Sequence, residues 1–156
     1  MDSSASQPRV TFSERVYPSA LSLLPTVLLT PGVALVAMPF MDFATAVILG
    51  LVSSGATVAV ALAGAPLIRI MTDSEGTHLT LGRASIKADY LGKVSLITPA
   101  GFRSELGPGL NALAHLRLQT GVKSLVKIQI EDDSDPTPYW LFSTRQGEKI
   151  KKLLEA

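Results

Sequence analysis

Residues 44–67 read ATAVILGLVSSGATVAVALAGAPL, with no Asp, Glu, Lys or Arg among them. Residues 20–38, ALSLLPTVLLTPGVALVAM, are equally free of charge. A membrane-spanning helix needs about 20 mostly apolar residues. One central charge costs about 2.5–3.5 kcal/mol to insert and one leucine returns about 0.5 kcal/mol. Neither run carries such a charge, so both are read as transmembrane helices. Asp42 is the only charged residue from 16 to 68, and the remaining chain holds the other 26 of the 27 Asp, Glu, Lys and Arg residues. This split excludes a wholly soluble protein and a disordered chain. With a net charge of +1, it also excludes nucleic-acid binding driven by bulk charge. No nucleic-acid partner is expected. The absence of cysteine removes disulfides, a thiol nucleophile and cysteine-based zinc sites.

The link at 39–43 predicts a tight turn between the two helices. Arg9 and Arg15 precede the first helix and Arg69 follows the second, whereas the turn carries only Asp42. The positive-inside rule then puts both termini in the cytoplasm and the protein in the inner membrane as a multi-pass chain. A signal peptide is the rival reading, but its charged start would be long and would include Asp2 and Glu14. Residues 1–16 are read as a cytoplasmic tail and 17–68 as a two-helix hairpin. Pro25 and Pro31 should interrupt the first helix. Gly50, Ser54, Gly55 and Ala59 give the second helix small-xxx-small spacing. That face either joins copies of the chain as a homo-oligomer or packs on the first helix. No ionisable residue lies within the spans, so a proton relay or pump lacks its usual parts.

From Arg69 the pattern changes to alternation. Residues 67–72, 78–82, 84–87, 93–98, 122–131 and 139–144 read as short strands joined by Gly, Pro and Asp turns. Residues 146–155 read as a helix with Ile150, Leu153 and Leu154 on one face, Ser143 and Gln146 having the spacing of a capping box. Residues 106–115 read as a turn and short helix, with Asn111 as a candidate cap. The fold class is therefore a membrane α-helical hairpin plus a cytoplasmic, mostly-β domain over 69–156. An antiparallel sheet or barrel closed by one C-terminal helix has the outline of a pleckstrin-homology-like domain.

The run Asp135-Pro-Thr-Pro-Tyr-Trp-Leu-Phe-Ser-Thr-Arg145 resembles the signature of an actinobacterial membrane-protein family known as domain of unknown function 3093. Arg103-Ser-Glu-Leu-Gly-Pro108 and Ser13-Glu-Arg15 resemble two further elements of that family. The resemblance covers nearly the whole chain from Ser13. It implies a two-helix membrane anchor with a cytoplasmic pleckstrin-homology-like domain and no established activity.

Tyr139, Trp140, Arg145 and Arg103 are the candidate partner-binding residues, since Trp, Tyr and Arg are enriched at binding hot spots. Tyr139 and Trp140 should point to opposite faces of a strand. Either one faces outward in a groove with Arg145, or one fills the core and the other caps it. Asp132, Asp133 and Asp135 lack the spacing of a calcium loop and read as a solvated turn. Gly107-Pro-Gly109 lacks the Lys-Ser/Thr and the strand-loop-helix frame of a phosphate loop. His78 and His115 are isolated in sequence and no nucleophile elbow is present, so an enzyme is not expected, nor a metal or other cofactor. Arg145, Lys149, Lys151 and Lys152 make the C-terminus basic. The expected function is that of a membrane-anchored interaction or scaffold protein, with the bilayer and a partner protein as its contacts. The alternative is a module sensing anionic lipid.

Overall fold

The computed structural model describes residues 9–155 of the chain and divides them into two compact units: residues 9–16 with 66–155, and residues 17–65. The second unit is helical. Ala20–Leu23 (α1) leads through a 3-10 stretch, Leu24–Leu28, into Leu29–Ala37 (α2). Phe43–Ala63 (α3) returns. Pro25 has the expected effect, lying at the start of the 3-10 stretch, whereas Pro31 sits inside α2, which runs through it without a break. Asp42 caps α3, accepting from the Thr45 N–H at 3.1 Å and the Thr45 hydroxyl at 2.6 Å. The stretches Ala20–Ala37 and Phe43–Ala63 are each long and apolar enough to cross a membrane.

Small residues bring α2 and α3 together. Ala34, Ala37 and Ala46 are buried in one cluster with Val47 against it. A Cβ on Gly50 would stand 2.3 Å from the Thr30 carbonyl oxygen, so only glycine permits this approach. The Thr30 and Ser54 hydroxyls bond across the pair at 2.8 Å. Of the two alternatives for the small-residue face, Gly50 and Ser54 take packing on the first helix, whereas Gly55 and Ala59 remain exposed.

The first unit holds two four-stranded sheets. The first runs β1 (Arg9–Arg15), β2 (Leu67–Asp73), β3 (Gly76–Leu81), β4 (Ala84–Lys87), all antiparallel. The second, in spatial order, is β5 (Leu91–Ile97), β7 (Leu125–Ile130), β8 (Tyr139–Ser143), β6 (His115–Arg117). β6 joins β8 in parallel, a departure from the all-antiparallel expectation. The inner faces form one core that takes Phe12, Ile68, Ile70 and Leu79 from the first sheet and Val126, Ile128 and Phe142 from the second. The C-terminal helix α5 (Gly147–Leu154) adds Ile150 to that core, with Leu153 and Leu154 against it.

Three expectations are corrected. The tail predicted over 1–16 is not a tail where it is described: residues 1–8 lie outside the described residues, and Arg9–Arg15 form β1, paired in register with β2 from Arg9↔Thr72 to Arg15↔Leu67. Phe12 and Val16 are buried because they alternate onto the core face. The short helix expected over 106–115 is replaced by turns, with Asn111 Oδ1 accepting from the Leu113 N–H. The helix lies earlier, at Pro99–Glu105 (α4), where Pro99 begins the helix instead of breaking the chain. The capping box of α5 is absent. Ser143 accepts from the Gln119 N–H, and the Thr144 hydroxyl takes the Gln146 N–H at 3.0 Å.

Candidate interaction surface

Every residue of β8 is buried, because both of its faces are covered. Trp140 and Phe142 point into the main core. Tyr139 and Leu141 point the other way, into a second cluster with Ile97 and Leu125, against which Phe102 of α4 packs. Of the two alternatives, the outward aromatic in a groove is the one not seen: Tyr139 is 7% exposed and Trp140 5%. Tyr139 is an anchor. Its hydroxyl accepts from the Asn111 N–H at 2.8 Å and donates to the Gly109 carbonyl at 3.2 Å, which pins the Gly107-Pro-Gly109 turn. Lys127 lies over its ring at 4.3 Å and pairs with Glu105 at 2.7 Å. Arg103 is exposed on the last turn of α4, and Arg145 is exposed just beyond the buried Thr144. The four candidate residues do not form one patch.

At the N-terminal end of β8 the acidic loop builds its own turns. Asp132 Oδ1 accepts from the Ser134 N–H and hydroxyl, and Asp135 Oδ1 accepts from the Thr137 N–H. Hydrogen bonds from the Thr137 side chain and backbone hold the Asp135 carboxyl below its usual range. Among the described residues no group of three or more His, Asp or Glu is placed to hold a metal ion. A cleft of about 280 Å³ opens here, lined by Ser85, Lys87, Tyr90, Asp132 and Asp135, with an edge of Trp140 reaching it. His115 pairs with Trp140 across the parallel strands, and the two rings lie 5.1 Å apart. Its Nε2 is enclosed with no hydrogen-bond partner among the described residues. Burial, then the nearby Arg117 charge, pushes the His115 pKa down, against a smaller opposing pull from Asp135.

At the C-terminal end of β8 the chain meets its own beginning. Glu14, on the core face of β1, accepts from the Thr144 hydroxyl at 2.5 Å and from the Arg145 N–H at 2.9 Å. Sequence reading singled out Ser13-Glu-Arg15 and Ser143-Thr-Arg145 separately and had no means to join segments some 130 positions apart. A hollow of about 340 Å³ beside this latch is lined by Gly121, Lys123, Ser124, Thr144 and Arg145.

Residues 11–154 match the model of a family described as "Protein of unknown function (DUF3093)". No curated protein and no solved structure matches the chain.

Proposed function

The chain belongs to that family, and we propose that it is a membrane-anchored, non-enzymatic interaction module whose β unit meets a partner protein at the inner membrane face. One observation carries the reading: residues 17–65 are inserted between β1 and β2, which are themselves paired. The Val16 N–H donates to the Pro66 carbonyl at 2.9 Å, so the excursion starts and ends at one point of the β unit with no linker. A core helix of a soluble protein would be mostly buried, yet only Ala34 and Ala37 of α2 and Ala46 and Gly50 of α3 are buried. Leu21, Leu28, Val36, Phe40 and Val60 are each more than two-thirds exposed. A bilayer would cover this surface, since it takes helices of about 20 residues. The positive-inside rule supports a cytoplasmic β unit, with Arg15 and Arg69 flanking a hairpin whose turn bears Asp42. Two packed sheets closed by a C-terminal helix support the pleckstrin-homology-like outline, which by itself assigns no activity.

The proposed partner surface is the cleft beside the acidic loop. Its Tyr90 is exposed and its Lys87 partly so, whereas Tyr139 and Trp140 serve the cores. Asp132 and Asp135 each accept turn hydrogen bonds through Oδ1, which gives the loop beside the cleft a fixed shape. The test is a photo-cross-linker in place of Tyr90 in the full chain in native membranes, compared with one at Val10. One discrete adduct from position 90 that disappears with Lys87→Glu is the expected result. Identical adduct patterns from both positions, with the chain membrane-embedded, would remove the cleft from the proposal. The second reading, sensing of anionic lipid, is favoured by where the cations lie.

A further inference from the structure

We infer that the end of the β unit from which the hairpin departs is a contact for anionic lipid headgroups, formed by Arg15, Arg83, Arg117, Lys123 and Arg145. The inference rests on the membrane anchoring proposed above and names the surface that such anchoring would bring to the bilayer. These residues are scattered in sequence, and the strand register gathers them. Arg15 is the last residue of β1, opposite Leu67. The Gly82-Arg83 turn joins β3 to β4 at the same end, the Gly82 N–H donating to the Leu67 carbonyl at 2.9 Å. Arg117 ends β6, and its Nε lies 3.8 Å from where a Cβ on Gly82 would stand. Thr144 connects the other two cations, because its N–H donates to the Ser124 carbonyl and Lys123 and Arg145 line the hollow beside it. The Glu14 carboxylate ties this corner to β1, one residue from Arg15.

All five cationic residues are exposed. Glu14, the carboxylate at this corner, is buried and hydrogen-bonded to Thr144 and Arg145. The opposite strand ends have the reverse sign. Asp73 and Glu75 lie in the β2–β3 turn, and Glu131, Asp132, Asp133 and Asp135 in the β7–β8 loop. Charge is thus sorted along the strands, although the cytoplasmic segment is close to neutral overall. The C-terminal helix is the weaker candidate: Lys149 lies over the Phe12 ring at 5.4 Å, and Lys151 approaches Glu155 at 4.0 Å. Each cation held near an anionic leaflet is worth roughly fivefold in occupancy, and the attraction decays over about 8 Å at physiological salt. The strand ends that carry these cations are joined to the hairpin without a linker.

The chain has no cysteine, so a single fluorescent label can be placed at Leu118→Cys, beside Arg117, or at Glu75→Cys among the acids. The full chain is reconstituted in vesicles of phosphatidylcholine alone or mixed with phosphatidylglycerol, each carrying a headgroup-linked quencher. The label at 118 is expected to be quenched several-fold more when phosphatidylglycerol is present. High salt and the combined variant Arg83→Glu, Arg117→Glu, Lys123→Glu should both abolish that difference, and the label at 75 should not respond. Equal quenching at 118 in both vesicles overturns the inference, and so does a difference that survives the triple variant. Alkaline carbonate extraction of the same vesicles separates the two levels. A chain that is extracted overturns the anchoring and the inference with it, whereas a retained chain that ignores phosphatidylglycerol overturns the headgroup contact alone.

Discussion

Glu14 is a carboxylate in a core position, and its hydrogen bonds explain why it is there. It is 8% exposed, with the fully buried Thr144 hydroxyl and the Arg145 N–H pointing at it. A hydrogen bond to an ionised group contributes about 1.5–3 kcal/mol, and a buried donor left without an acceptor costs about 1–3 kcal/mol. Glu14→Ala is therefore expected to destabilise the β unit by about 2–4 kcal/mol. Thr144→Val should cost less, and the double variant should fall short of the sum because both act on one contact. The single tryptophan, Trp140, sits in the core and reports unfolding without a label. Strictly additive losses in urea unfolding followed by its fluorescence would refute the latch. His115 makes the second residue-scale prediction. Burial and Arg117 lower its pKa in the folded state, so between that value and the ordinary value of about 6.5 the unfolded chain binds more protons. Stability then rises with pH through this window and is lost as pH falls below about 6.5. Asp135 has a lowered pKa, so its contribution is present above about pH 4 and is lost only below that. It does not mask the histidine. The urea midpoint should drop between about pH 7.5 and about pH 5.5, and His115→Phe should flatten that drop; an unchanged slope in the variant would reject the assignment.

The helical elements carry a paired test of what the small residues do. A Cβ on Gly50 meets the Thr30 backbone, whereas one on Gly55 meets nothing within 4 Å. Overpacking costs about 1–3 kcal/mol, more than the roughly 0.6 kcal/mol typical of an interhelical hydrogen bond such as Thr30–Ser54. Gly50→Val should force α2 and α3 apart and slow disulfide formation between cysteines placed at Ala37 and Ala46. Gly55→Val should leave it unchanged. If instead Gly55→Val alone alters cross-linked species of higher mass, the exposed part of this face joins copies of the chain. The elements also show how far the sequence could be read. The hairpin was legible because charge vanishes over more than twenty consecutive positions. β7 and α5 were legible because their periods are clean. β1 was not, since its core-facing positions include a carboxylate and its partner lies beyond the insertion of residues 17–65, with Arg15 opposite Leu67. α4 was missed because Pro99 reads equally as a break or as a first helical residue. The burial of both Tyr139 and Trp140 was hidden for a different reason. Alternation along five residues places them on opposite faces, but only the tertiary fold reveals that a second cluster covers the outer one.

At the scale of the whole molecule, the chain is a β unit interrupted between its first two strands by an apolar insertion. The scarcity of charge belongs to the insertion alone; from residue 69 onward 22 of 88 residues are charged, close to the average of about 25% for soluble domains. A β unit completed from both sides of the insertion cannot be obtained by cutting after it. Residues 66–155 alone would lose β1, and with it Phe12 and Val16 from the core and the acceptor for Thr144. Burying two such side chains is worth about 3–6 kcal/mol, and the Glu14 bonds add about 2 kcal/mol. That is comparable with the 5–15 kcal/mol stability of a typical domain. Residues 66–155 should therefore lack the blue-shifted Trp140 emission and cooperative unfolding of the intact unit. Val16 and Pro66 are hydrogen-bonded neighbours, so a short Asn-Gly or Gly-Ser turn in place of residues 17–65 should close β1 onto β2 as an ordinary hairpin. That version should be soluble and should unfold cooperatively, with Trp140 as shielded as in the full chain. A cooperative transition in the truncated 66–155 form would show that β1 is dispensable. Failure of the turn-closed form, with the full chain folded in detergent, would show that the insertion helps hold the β unit together.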